Sequence, residues 1–216
     1  MKAILYNYFG SQSSVIIMPL LSALFISIKT IDMVIVMPLM LLSFGQGIIE
    51  KDKSIGWDKR VKTLPINRRD IYLSRTITFI VFGLILIGFT IFLNILLFGI
   101  NLTSRIGYTG LSYHEMIIKF IGIFSFSFVI YSLDLLFNFT IFKEKEKMFK
   151  FSLVLYYMIF VLYIILEITN ILSFNIFLHL STIKINDTAS VIALIGAITF
   201  NLIVNKIIID YETTKF

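Results

Sequence analysis

Two carboxylates stand where a charge is poorly housed. Asp134, in IYSLDLLFNF, lies inside one apolar run, and Glu167, in YIILEITN, lies near the end of another. A charge at membrane depth costs about 2.5–3.5 kcal/mol on insertion scales, so such a group normally faces a partner or a wet cavity. Asp134 can therefore belong to a transport path or a helix–helix contact, or be a protonated or hydrogen-bonded structural residue; both readings stand. Glu167 is close enough to the surface for interfacial solvation. As an acid–base pair the two would imply an intramembrane enzyme, but few other groups in the apolar runs could assist one.

Other chemistry is missing from the sequence. No G-x-x-x-x-G-K-[ST] occurs, so the chain does not hydrolyse nucleotide by a P-loop mechanism. There is no H-E-x-x-H and no serine in G-x-S-x-G. His114 and His179 both fall near a membrane surface, where a solvated or interfacial role outweighs metal binding. The absence of cysteine excludes disulfides and thiolate metal sites.

The elements that must position these residues are membrane helices. Of 216 residues 58% are hydrophobic, against roughly 45–50% for soluble domains. The excess falls in blocks: Thr76 to Ile100 is 25 residues without a charge, and Phe151 to Leu166 is 16. A hydrocarbon core of about 30 Å needs about 20 helical residues. Six apolar segments predict six spans, at about 12–28, 33–49, 76–100, 120–142, 151–171 and 189–209, in one domain of an all-α integral membrane protein. The first two are joined by the tight hairpin Lys29 to Asp32, and Pro19 and Pro38 should bend them. The start is an uncleaved first helix in this reading, not a secretory signal. Ile4, Leu5, Tyr8 and Phe9 share a helical face suited to a short amphipathic N-terminal helix on the inner leaflet.

Six spans put both termini on one side. If that side is the cytoplasm, 15 of the 19 Lys and Arg residues lie inside and 4 outside, as the positive-inside rule expects. The net charge of +6 is thus explained by topology and attraction to anionic lipid, without nucleic acid. The outer loops are short, and the one near 172–188 is apolar enough to rest on the leaflet.

The inside loop 50–75, EKDKSIGWDKRVKTLPINRRDIYLSR, has an ordered pattern. Trp57, Val61 and Leu64 stand at i, i+4 and i+7, one face of a helix, with charges on the other faces. Pro65 ends that helix and biases Leu64 away from helical angles. Asn67 and Asp70 resemble a capping box, with Ile66 and Ile71 as its staple, so a new helix begins at about Arg68 and runs into the third span. A short amphipathic helix joined stiffly to a membrane helix can transmit a push, and its apolar face can rest on lipid, on its own bundle or in a partner's groove.

Glu50 at the end of the second span, Trp57, and Lys62-Thr63-Leu64-Pro65-Ile66-Asn67-Arg68-Arg69-Asp70-Ile71-Tyr72-Leu73-Ser74-Arg75 resemble the cytoplasmic signature of ABC-2 type transporter permeases. In that family an acidic residue closes the second span and a "sLPvsRxxiVxsK"-like segment leads into the third. The layout matches along the whole chain, the specific motif along about 25 residues. The resemblance implies a multi-pass permease of the bacterial cytoplasmic membrane, pairing with itself or a sibling permease. It also implies two copies of a separate ABC ATPase subunit, which would carry ATP and Mg, leaving no cofactor on this chain. Glu50, Trp57, Val61, Leu64, Pro65 and Arg68 would contact that subunit. The mostly apolar spans suit an amphipathic cargo: a drug, a lipid or a peptide, as in phenol-soluble-modulin exporters. The last outer loop is shorter than in polysaccharide-exporting members, which argues against large glycans. An alternative is a non-transporting immunity or sensor subunit that binds a cytoplasmic partner through the same loop.

Overall fold

A computed structural model describes residues 33–54, 68–99, 113–142 and 186–214, together with residues 151, 154, 155 and 158. The first span, the N-terminal amphipathic helix, most of the fifth span and loop residues 55–67 lie outside the described residues, as do Glu167 and His179. Among the described residues all regular structure is helical. Helix α1 is Met33–Ser54, α2 is Arg68–Gly99, α3 is Tyr113–Leu136 and α4 is Asp187–Thr214. Three described stretches are long and apolar enough to cross a membrane: Arg69–Leu93, Ile117–Ile141 and Asp187–Tyr211.

The termini of these helices follow local chemistry. Helix α2 starts at Arg68, as the sequence leads one to expect, with Asp70 in its first turn, where a carboxylate favours the positive helix end. Helix α1 outruns its apolar segment: it continues through Glu50 to Ser54 with Lys51 and Lys53 in its last turn, where cations favour the negative end. The first residues of the charged loop thus belong to helix α1. Asn186 caps α4: its Oδ1 accepts from the Thr188 backbone N at 3.1 Å and its carbonyl from the Ser190 N at 3.1 Å. Hydroxyls in the apolar helices bond back to their own backbone, as Thr78 Oγ1 does to the Ser74 carbonyl and Thr90 Oγ1 to that of Leu86.

The membrane-length helix that begins with α3 departs from a uniform α-helix at its end. Phe137–Ile141 is a π-helical turn, closed by Phe142 N donating to the Phe137 carbonyl at 2.8 Å. One residue is in effect inserted there, which turns the following side chains toward new neighbours.

An aromatic ladder fills the core. Phe120, Phe124, Phe128 and Tyr131 are buried along one face of α3. Phe79 of α2 stacks on them, 4.3 Å between centroids from Tyr131 and 5.5 Å from Phe128. Phe44 of α1 stacks on Phe82 of α2 at 3.7 Å. Two glycines permit this closeness. A Cβ at Gly45 would meet the Tyr131 ring at 2.6 Å, and one at Gly83 the Phe124 ring at 2.6 Å. Small residues that let membrane helices approach serve this purpose.

Helices α1, α3 and α4 run parallel, with α2 opposed to them. At one end His114 Nε2 of α3 lies 2.9 Å from Asp187 Oδ2 of α4; deeper, Asn201 of α4 bonds Ser132 of α3. At the other end Lys53 Nζ of α1 donates to the Phe142 carbonyl that follows α3. This is the order required of the second, fourth and sixth spans of an alternating bundle. The outward face of α4 is apolar, with Ile192, Ile195, Leu202 and Ile203 more than half exposed, as a lipid-facing surface should be.

Candidate functional site

The described ends of loop 55–67, at Ser54 and Arg68, lie at one end of the bundle, and two buried charges join the helices that carry them. Asp52 lies in the last turn of α1 and Arg75 about two turns into α2. Arg75 Nε donates to Asp52 Oδ2 at 2.5 Å, with the side chains 1% and 5% exposed. Charges so far from water are held only where a partner offsets the lost hydration. The guanidinium has more than one. It lies 4.7 Å from the ring centre of Tyr72 and 4.1 Å from that of Phe139. Tyr72 meets Phe139 edge-on, 6.2 Å between centroids. A planar, weakly hydrated cation can stack on rings while keeping its carboxylate; a lysine ammonium could not do both.

The third helix enters through its π-turn. Phe139 is the middle residue of Phe137–Ile141, and the turn carries its ring to Arg75. The turn is itself bonded: Asn138 Nδ2 donates to the Asp134 carbonyl at 2.9 Å and Thr140 Oγ1 to that of Leu136 at 2.5 Å. Lys53 Nζ, beside Asp52, reaches the Phe142 carbonyl at 3.0 Å. Next to it, burial pushes the half-buried Lys51 ammonium below its ordinary pKa, against the raising pull of the Asp52 carboxylate. Both helices that enter the loop therefore grip one turn of α3.

A layer of amides and hydroxyls lies against this joint, further into the bundle. Thr76, the residue after Arg75, donates through Oγ1 to Asn201 Oδ1 at 3.0 Å and accepts from Asn205 Nδ2 at 3.1 Å. Asn205 Nδ2 also reaches Asn201 Oδ1 at 2.9 Å, and Asn201 Nδ2 donates to Ser132 Oγ at 2.7 Å. Ser132 in turn donates to the Phe128 carbonyl at 2.7 Å. All four side chains are buried. In hydrocarbon such bonds hold helices together with a strength of about 0.6–2 kcal/mol each. The layer joins α2, α3 and α4, as the ion pair joins α1 and α2.

The residues singled out in the sequence fall in three groups. Trp57, Val61, Leu64 and Pro65 lie outside the described residues, as does Glu167. Glu50 is exposed near the end of α1, and Arg68 begins α2. Asp134 is buried in α3, one turn from Ser132's neighbour Tyr131 and from Asn138, which bonds its carbonyl. The sequence reading did not isolate Asp52, Arg75, Phe139 or the Thr76 layer. For the layer a signal existed: Asn201 and Asn205 stand at i and i+4 in FNLIVNK, two amides on one face of an apolar span. For Asp52 none did, since it is one charge in a charged run.

The arrangement is a joint in the geometric sense: a buried ion pair, ring contacts and amide bonds tie α1, α2, α3 with its π-turn, and α4 together. Comparison with known proteins bears on what such a joint serves. A family described as ABC-2 family transporter protein matches the chain over residues 4–209. No curated protein and no solved structure matches.

Proposed function

The chain belongs to the ABC-2 transporter family, and from that premise we propose that it is the permease subunit of an ATP-driven exporter of amphipathic molecules. The family supplies membrane components that work with a separate ABC ATPase subunit. In our reading two permease chains, identical or sibling, enclose the path. Two ATPase subunits dock on the 50–75 loop through Glu50, Trp57, Val61, Leu64, Pro65 and Arg68. ATP with its Mg ion binds those subunits. Their approach on ATP binding moves the loop and reshapes the path between alternating states. The membrane is the bacterial cytoplasmic membrane, with the loop inside, as the excess of Lys and Arg on that side supports.

The observation that carries this reading is the joint itself. A solvated loop between spans does not need its feet fixed by a buried ion pair, whereas a loop that transmits force does. The apolar character of the described spans supports an amphipathic cargo, such as a drug, lipid or cationic peptide, because a hydrophilic solute would find few polar contacts. The test is co-purification in mild detergent. The wild-type chain should carry a P-loop ATPase with it and change that subunit's hydrolysis rate. Trp57→Ala combined with Leu64→Ala should lose the ATPase while membrane insertion and elution profile stay normal. Unchanged association in the double variant would sink the docking claim.

A further inference from the structure

We propose that Arg75 and Phe139 are positioning residues for transport: they carry displacement of the 55–67 loop into α3 and take no part in docking. The proposal rests on the coupling reading above.

Five observations converge on this pair. The two described ends of the loop are tied by Arg75 and Asp52, so α2 cannot move there without drawing on α1. The Arg75 side chain is 1% exposed, so its contacts are made to protein groups shielded from solvent. Its ring contact on α3 is Phe139, at 4.1 Å, so a rotation of α2 presses on that ring. Phe139 sits in a π-turn, a helix segment that changes register by a single residue and recurs at functional sites. Lys53 holds the carbonyl of Phe142 at the end of the same turn, so α1 and α2 act on one short segment from two sides. The neighbouring Thr76 extends the path, because its bonds to Asn201 and Asn205 tie the same rotation of α2 to α4. A movement entering at the loop thus reaches all four described helices. Interfaces packed this closely change between discrete arrangements instead of deforming smoothly.

The experiment uses the whole complex of the chain with its co-purified ATPase in lipid nanodiscs. The chain has no cysteine, so one spin label can be placed on α3 at Phe126→Cys and one on α4 at Leu202→Cys, both more than half exposed. The distance between them is read without nucleotide and with ATP and vanadate. The otherwise wild-type complex should show a shifted distance distribution. Phe139→Leu should keep the ATPase bound and lose the shift, while Phe139→Tyr, which restores an aromatic face, should regain it. A residue that merely fills volume would tolerate leucine as well as tyrosine. Arg75→Lys keeps a cation for Asp52 without the stacking plane and should behave as Phe139→Leu does, which covers the case where the leucine variant fails to fold. A normal shift in either variant overturns the joint and leaves docking standing, as does absence of a shift in the wild-type complex. Failure of the wild-type chain to hold any ATPase overturns docking and the joint together.

Discussion

At the residue scale the buried ion pair sets the terms. Desolvating Asp52 and Arg75 is costly, and their contact with one another and with two rings offsets it. Removing one partner leaves the other charge stranded. Asp52→Ala is therefore expected to cost about 3–5 kcal/mol, seen as a lower unfolding temperature in detergent. Replacing both, as Asp52→Leu with Arg75→Met, should recover most of that stability, since a buried pair can be exchanged for apolar groups of similar volume. A double variant no more stable than Asp52→Ala would show that the pair's worth lies outside its charges. The sequence alone could not single out this pair. Glu50, Lys51, Asp52 and Lys53 look alike in a row, and only the helical phase beyond the apolar segment turns Asp52 inward while leaving Glu50 exposed. Arg75 resembled the other cations of the inside loop for the same reason.

At the element scale most of the described helices were legible. The charge-free run from Thr76 to Ile100 marks a span with no competing reading, and the Asn67-to-Asp70 pattern placed the start of α2 at Arg68, where it is found. The π-turn was not legible, because FNFTI has no proline or glycine to announce an irregularity. The turn combines local bonds, from Asn138 and Thr140 to the backbone one turn back, with tertiary contacts of Phe139 to Arg75 and of Phe142 to Lys53. The tight α2–α3 contact was hidden too, since Gly83 and Gly88 look equivalent in sequence. They differ in what surrounds them. A Cβ at Gly83 lies 2.6 Å from Phe124, whose ring is held between Phe120 and Phe128, whereas none of the described residues lies within 4 Å of one at Gly88. Gly83→Ala should cost about 1–3 kcal/mol by overpacking, and Gly88→Ala should be neutral or slightly stabilising. Equal unfolding temperatures for the two variants would refute this account of the contact.

At the scale of the whole molecule, α1, α3 and α4 run parallel with α2 opposed, and the alternation expected from the apolar blocks would place all three crossings in one direction. It also gives a sidedness that can be measured. With the loop inside, a membrane-impermeant maleimide applied to intact cells should label Thr188→Cys, at the exposed start of α4, and spare Ser54→Cys. Inside-out vesicles should reverse the pattern, and the opposite result in either preparation would invert the topology. The hydrogen bonds between α3 and α4 bear on how the protein is made. Ser132 and Thr76 enter the bilayer early, but the amides that complete their layer sit at 201 and 205, near the end of the chain. Without α4, Thr76 and Ser132 lack the amide partners that Asn201 and Asn205 give them. The layer is therefore complete only once α4 has joined α2 and α3, and a chain truncated before Asp187 lacks both of the amides that close it.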